Sequence, residues 1–267
     1  MTVVPGGFSK PVSAEQVSKV SSLADRLSEV LEAVSEGFAP ILDDEYSERG
    51  VSLRTNYMYA LDGRIVVKDR DGSELFSFGK KEYEGYIGEA EAEEGYGTSP
   101  YLKAAGALGA PFRVGPLARL NASAGKEAGT LWAEARHESV MYTRARIVEC
   151  LLASRRMGES AAELESGVGA SPAELGFKEG EGFGVVEAPR GTLLHHYAFD
   201  RNGIVMKANV ITPTAFNSPA IERDIEENVK QIGTEDVGRL KERAVKVLRD
   251  YDPCIPCATH QVEVLVG

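Results

Sequence analysis

The chain has 267 residues, 43% hydrophobic and 27% charged, enough to bury a sizeable core in one or two units. Its 30 basic and 41 acidic side chains give a net charge of -11, which excludes nucleic acid and anionic membrane surfaces as partners. It has no apolar run of about 18 residues, and Met1-Thr2-Val3-Val4-Pro5 lacks the basic region and apolar core of a signal peptide, so a cytoplasmic chain without direct membrane insertion is expected.

Ser13-Ala14-Glu15-Gln16 has the spacing of a capping box, and Val17, Val20, Leu23, Leu27, Val30, Leu31, Val34 and Phe38 follow at helical intervals. A long amphipathic helix is predicted, its apolar stripe packed on the core. From 53 to 78 the pattern becomes that of strands: Thr55-Asn56-Tyr57-Met58-Tyr59, a turn at Asp62-Gly63, Ile65-Val66-Val67, a turn at Asp71-Gly72, then Leu75-Phe76-Ser77-Phe78. This predicts an antiparallel meander. The acidic run from Glu89 to Gly95 reads as a solvated helix end or loop.

Helical periodicity returns over 125 to 157 through Leu131, Trp132, Ala135, Val140, Met141, Ile147, Val148 and Leu151, with His137 on that helix as a surface or core histidine. A Gly- and Ser-rich linker is expected from 158 to 184. Val185-Val186 and Thr192 to Phe199 read as strands, with a hairpin turn at Asp200-Arg201-Asn202-Gly203 and Ile204-Val205-Met206 returning. Adjacent in one strand, His195 and His196 should face opposite sides. Helices are expected from about Pro219 to Ile232 and Glu235 to Asp250, the last stopped by Asp252-Pro253. The expected fold class is α+β, predominantly helical with small antiparallel β elements. Two regions are expected: 1–157, helical with the inserted meander, and 158–267, carrying the C-terminal cluster.

That cluster is Asp252-Pro253-Cys254-Ile255-Pro256-Cys257-Ala258-Thr259-His260, and it holds two of the three cysteines. Two thiolates three residues apart can grip one soft metal, and an imidazole three residues further can hold the same centre or a second one nearby. The residues alone leave open a redox dithiol, half of a structural zinc site, or a transition-metal site. A zinc ribbon needs a second ligand pair, and Cys150, His137, His195 and His196 do not have that spacing. Cys150, in a helical stretch without a partner, reads as a buried core thiol.

Four further segments accompany the tail in order: Val3 to Pro11, Phe112-Arg113-Val114-Gly115-Pro116-Leu117-Ala118-Arg119-Leu120-Asn121, Glu187-Ala188-Pro189-Arg190-Gly191 with Leu194-His195-His196-Tyr197, and Ala208 to Asn217. Together the five resemble the large, catalytic subunit of nickel-iron hydrogenases, especially the soluble, cofactor-coupled kind. That family holds its metals between two cysteine pairs, and only the C-terminal pair has a counterpart here. The resemblance is therefore to a C-terminal part, with a separate polypeptide supplying the rest or a truncated reading frame.

What the resemblance implies is specific. Cys254 is a terminal nickel ligand, Cys257 bridges nickel to an iron bearing carbon monoxide and cyanide, and His260 helps hold a magnesium or iron ion near the chain end. Arg190 overhangs the open coordination site, where a guanidinium supplies positive charge that does not deprotonate. Asp252 orients Arg190 or tunes the thiolate; Pro189 and Thr214 line the diatomic ligands. The implied activity is reversible oxidation of H2 to protons and electrons, complete only with an N-terminal large-subunit fragment carrying the other cysteine pair. Further electron-acceptor subunits and an iron-sulfur small subunit are the other implied partners. Gln261 to Gly267 fit either an extension removed after nickel insertion or a tail that stays attached. The competing readings are a zinc-binding structural module and a non-catalytic hydrogenase-like assembly subunit.

Overall fold

The computed structural model describes residues 3–258 apart from 5–6, 54, 92–97, 106–110, 134, 165–168, 170–171, 175, 177 and 234–235. A short ribbon of β1 (Val3–Val4) and β2 (Gly7–Phe8) leads into helix α1 (Ala14–Arg49). The capping box forms as read: the Ser13 hydroxyl accepts from the Gln16 N–H at 3.2 Å, and the Gln16 side-chain carbonyl accepts from the Ser13 N–H at 3.0 Å.

The meander also forms, as β3 (Asn56–Leu61), β4 (Arg64–Lys68) and β5 (Glu74–Gly79). Asp62 and Gly63 take positive φ at its first turn, which suits Asp and costs Gly nothing. The acidic segment departs from its expectation over Glu89–Glu91, while residues 92–95 lie outside the described residues. After the one-turn α2 (Tyr83–Tyr86), Glu89 and Glu91 lie in β6 (Ile87–Glu91), which pairs with β7 (Thr98–Leu102). Ile87 and Leu102 face each other across this ribbon and both are buried, so two apolar anchors outweigh the polarity between them. Strand β8 (Phe112–Arg113) then joins the meander parallel to β3.

The predicted helix over 125 to 157 is broken. The chain passes through α3 (Pro116–Arg119), a π-helical turn at 120–124 and α4 (Gly125–Ala128), and only Met141–Glu163 makes a long helix, α5. Asn121 holds the bend between them, accepting from Trp132 Nε1 at 3.0 Å and the Arg136 N–H at 3.1 Å and donating to the Arg136 carbonyl. His137 therefore lies in this bend and not on a helix. Helix α5 also runs through residues 158–163, where a linker was expected. Cys150 is a second correction: it is exposed. At 3.6 residues per turn it lies about 200° around the helix from Val148, which is buried with Met141, Ala145 and Leu152.

A third correction concerns α1. It packs against α5 on the side of Ala24 and Ser28, whose hydroxyl lies 2.8 Å from that of Ser154, and the predicted stripe is mostly in water, with Val20, Leu23, Leu27, Val30 and Phe38 exposed. Helical spacing marks an apolar face but not whether the same chain covers it.

Strands β9 (Gly180–Ala188), β10 (Gly191–Phe199) and β11 (Val205–Ile211) form an antiparallel sheet with β10 central. His196 is buried and His195 half-buried, the two faces expected of neighbours in a strand. Helix α6 (Pro213–Ile232) begins six residues before the expected Pro219, because the Thr212 hydroxyl accepts from the Ala215 N–H and Pro213 takes the first helical position. Helix α7 (Val237–Asp250) and the single turn α8 (Ile255–Ala258) complete the described chain. One core joins Leu117, Trp132, Tyr142 and Val148 to Ala220, Val247 and Tyr251; another joins Met58, Ile65, Phe78 and Phe112 to Leu194, Ile211 and Phe216. Among the described residues no helix is long and apolar enough to cross a membrane.

Candidate metal centre

The loop after α7 starts from a buried anchor. Tyr251 accepts a hydrogen bond from Arg113 Nε at 2.9 Å and donates its own to Asp224 Oδ2. Arg113 and Asp224 are both wholly buried and form an ion pair, and Arg113 also donates to the carbonyls of His137 and Leu53. Burial works against the guanidinium charge, yet Tyr251 and Asp224 hold Arg113 well above its ordinary value; burial pushes the Asp224 carboxyl up and Arg113 pulls it back. This network ties β8, α6 and the end of α7 to one point.

From that anchor the chain turns sharply. Asp252 has φ 51°, in the left-handed region that Asp tolerates better than most residues, and Pro253 and Cys254 follow. The Cys254 N–H donates to Thr214 Oγ1 at 3.0 Å, which seats the cysteine at the first turn of α6. The Cys257 N–H donates to the Cys254 carbonyl at 3.0 Å. Cys254 is half-buried and Cys257 exposed; they are joined as a disulfide, with Cα atoms 5.3 Å apart. Holding a metal requires the reduced pair.

Arg190 reaches this loop from the β9–β10 turn. Its Nε donates to the Asp252 carbonyl at 2.6 Å and lies 3.0 Å from Asp252 Oδ2, and both side chains are partly open to water. The turn is held by Arg119, which donates to the Ala188 and Pro189 carbonyls at 3.1 Å each and pairs with Glu149 and Glu187. Against the cost of burial, Glu149 and then Glu187 raise the Arg119 pKa, so the clamp stays charged. Glu187 is held in turn by the Ala60 N–H at 2.7 Å and the Thr192 hydroxyl at 2.6 Å.

Two glycines let the segments meet. Gly115 has φ 95°, and a Cβ there would lie 2.5 Å from the Arg190 carbonyl oxygen; Gly191 has φ 135°, and its Cβ would lie 2.7 Å from the Gly115 nitrogen. The Gly-Pro-Leu-Ala-Arg segment thus supplies both the contact and the clamp beneath Arg190.

Of the residues read from sequence, Arg190 meets Asp252 and Cys254 meets Thr214 through direct hydrogen bonds, the two pairs being joined by the chain through Pro253. Cys257 follows on α8, Pro189 is exposed beside Arg190, and His260 lies outside the described residues. The donor set fits a soft metal in part: Cys254 and Cys257 would supply two thiolates once reduced, and among the described residues no group of three or more His, Cys, Asp or Glu side chains could hold an ion. The buried His196 is engaged elsewhere, with Nδ1 2.9 Å from the Tyr83 hydroxyl and Nε2 2.6 Å from Glu181 Oε1. Sequence reasoning gave no role to Arg113, Arg119, Asp224 or Tyr251. The two arginines lay in a segment already singled out, whereas Asp224 is one acid among many on a charged helix.

The His137 ring Nδ1 lies 2.6 Å from the Tyr57 hydroxyl, and burial, then Arg70, lower its pKa from the ordinary 6.5. The unfolded chain therefore takes up the proton first as pH falls. The stability His137 contributes is present above about pH 6.5 and is lost as pH falls through its depressed folded value. Urea unfolding at about pH 5 and about pH 8 should show a smaller pH difference for His137→Gln than for the unaltered chain; equal differences would remove His137 from the account.

Comparison with known proteins identifies the family. The nickel-dependent hydrogenase family matches residues 70–260. The chain is 31% identical over 284 residues to a subunit of the F420-non-reducing hydrogenase of Methanothermobacter thermautotrophicus, covering 97% of this chain and 60% of that protein. It is 33% identical to an iron-sulfur subunit of the F420-non-reducing hydrogenase of Archaeoglobus profundus, covering 96% and 60%. A crystal structure of an NAD+-reducing [NiFe]-hydrogenase in the H2-reduced state superposes with a TM-score of 0.78 at 25% identity, over 96% of this chain and 62% of that one. The chain thus spans about three-fifths of the length of the curated relatives it matches. It belongs to the nickel-dependent hydrogenase family.

Proposed function

We propose that this chain forms one side of a nickel-iron centre that oxidises dihydrogen reversibly to two protons and two electrons, with Cys254 and Cys257 as two of its thiolate ligands. The observation that carries the reading is the convergence of Arg190, from 62 residues away, on Asp252 two residues before Cys254. A bare pair of cysteines for zinc has no use for a guanidinium held in this way. When bound, the metal pair supplies an open coordination position at which dihydrogen is polarised. Beside it Arg190 adds positive charge and N–H donors, and Asp252 sets the direction in which they point. The Thr214 hydroxyl accepts from the Cys254 N–H and keeps its own hydrogen for an anionic ligand such as cyanide, with Pro189 lining the same side. His260 serves a magnesium or iron ion near the chain end.

Two thiolates do not complete such a site, so the remaining pair comes from a segment outside this sequence, the counterpart of the family's N-terminal cysteine region. Electrons leave through an iron-sulfur subunit to further acceptor subunits in the cytoplasm. Both relatives described above are named as subunits of a larger hydrogenase, which supports an assembly of several chains.

The test is to isolate the chain with its bound partners under reducing conditions, measure nickel, iron and zinc by mass spectrometry, and record the infrared spectrum. Nickel and iron in equal amounts with carbon monoxide and cyanide bands are expected, and Cys254→Ser or Cys257→Ser should each remove the nickel. Zinc alone would replace this reading with a structural zinc module.

A further inference from the structure

Two arginines from distant segments grip the cysteine loop by its backbone. Arg146, on α5, donates from Nη1 to the Asp250 carbonyl at 2.6 Å, and Arg190 donates from Nε to the Asp252 carbonyl at 2.6 Å, so the two clamps stand on either side of Tyr251. The Asp250 carbonyl belongs to the last residue of α7, where a helix leaves its carbonyls without internal partners and its dipole favours a cation. Arg146 Nη2 donates to Thr143 Oγ1 at 3.0 Å, which fixes the fork. The start of α5 holds the same point twice more. The Ser139 hydroxyl donates to Asp250 Oδ2 at 3.1 Å, and the Tyr142 ring packs on that of Tyr251 with centroids 4.5 Å apart. Burial lowers the Arg146 pKa, Asp252 and then Asp250 push it back up, and Arg190 adds to the lowering, which puts Arg146 within the field of both Asp252 and Arg190.

Asp252 has φ 51°, a conformation that a residue with a side chain keeps only when its surroundings over-determine it. Tyr251 is anchored through its ring and hydroxyl, which leaves the peptide planes on either side of it free to turn. Arg146 removes that freedom before Tyr251 and Arg190 removes it after. Arg190 Nε meets both the carbonyl and Oδ2 of Asp252, so a change in the turn at Asp252 carries the guanidinium with it. We infer that Arg146 is a positioning residue for the dihydrogen chemistry: by holding the Asp250 carbonyl it keeps Asp252 in its left-handed turn, and through Asp252 it sets the direction of Arg190. The inference rests on the function proposed above.

The experiment compares Arg146→Met, Arg146→Lys and Thr143→Val with the unaltered chain, each isolated in its native assembly under reducing conditions. Metals, the infrared spectrum, amide exchange in peptides covering 249–257, and isotope exchange between dihydrogen and water are measured on the same preparations. Arg146→Met is expected to speed amide exchange over 251–254 by about tenfold or more, with α6 unaffected and nickel retained. Turnover should fall by about 10²-fold, but by only about twofold when Arg190 is already lysine, because Arg146 acts through Arg190. Arg146→Lys keeps a donor for the Asp250 carbonyl and should restore most of both. If Arg146→Met does not assemble, Thr143→Val decides, with amide exchange expected to rise by about threefold from loss of the fork's second contact. Unaltered amide exchange, or activity losses that multiply in full with Arg190→Lys, would overturn the inference and leave Arg146 as a cap of α7. With nickel present, either result leaves the proposed function standing. Zinc alone in the unaltered assembly would instead overturn that function, and with it the role of Arg146 in dihydrogen chemistry, while faster amide exchange would still show that Arg146 holds the turn.

Discussion

Replacing Arg113 with methionine is expected to cost about 3–5 kcal/mol of folding stability and to lower the melting temperature by about 10 °C or more. The reason is what remains behind. Asp224 is wholly buried, its Oδ1 has no partner among the described residues, and its Oδ2 depends on Arg113 and Tyr251. Removing the guanidinium leaves an acid in an apolar surround that must protonate or draw in water, and the carbonyls of His137 and Leu53 lose their donor as well. Removing both charges, as Arg113→Met with Asp224→Leu, should recover much of the loss, since the pair itself adds little net stability once its desolvation is counted. Tyr251→Phe keeps the pair and removes only the bridge, so a smaller loss of about 1–3 kcal/mol is expected. Nickel retention should fall more steeply than stability in that variant, because Tyr251 is the residue from which the Asp252-Pro253-Cys254 loop departs. Thermal melts and nickel content of the unaltered chain and these variants check the series. A double variant no more stable than Arg113→Met would show that the network acts through shape and not through the pairing of charge.

The second large effect is expected at Arg119, which touches no proposed ligand. Arg119→Lys keeps the charge but cannot pair with Glu149 and Glu187 while also donating to the Ala188 and Pro189 carbonyls, which the planar fork of Arg119 does at once. The turn beneath Arg190 then loosens. Displacement of a reacting group by about 1 Å lowers rates by about 10²-fold, so hydrogen–deuterium exchange by the assembled enzyme should fall by roughly that factor with nickel content unchanged. Arg190→Lys should give a loss of similar size by acting at the site directly. Because Arg119 works through Arg190, Arg119→Lys made in an Arg190→Lys background should add little further loss. If the two losses multiply in full, Arg119 has a separate role and the carbonyl clamp is not what matters.

The constraint on the turn is also steric. Gly191→Ala would set a Cβ against the backbone nitrogen of Gly115, at a φ that an L side chain rarely adopts. The close approach of two loops distant in sequence accounts for both glycines together.

Local signals in the sequence were reliable where the physics is local. The capping box at Ser13, the two turns of the meander, the hairpin at Asp200 and the opposite faces of His195 and His196 depend on residues within a few positions of one another, and they form as read. The seating of Cys254 and the partners of Arg190 were legible only as a resemblance of motifs, because spacing shows which residue types can hold a metal and not what lies beside them.

Other features required the assembled chain. The helix expected over 125 to 157 is broken by Asn121, whose side chain captures Arg136 and Trp132; periodicity averages over a window and does not register a single competing hydrogen bond. Cys150 points to water because the chain gives α5 a buried face on its other side, and the α1 stripe is exposed because α5 covers only one of its two apolar lines. The sequence by itself determined the composition of the elements and the chemistry available at Arg190, Asp252, Cys254 and Cys257. Only the tertiary structure decided that Arg113, Asp224 and Tyr251 bury one anchor for the cysteine loop and that Arg119 holds the turn beneath Arg190. Burial and pairing between distant segments set the energy of a charge, and neither quantity exists until those segments have met.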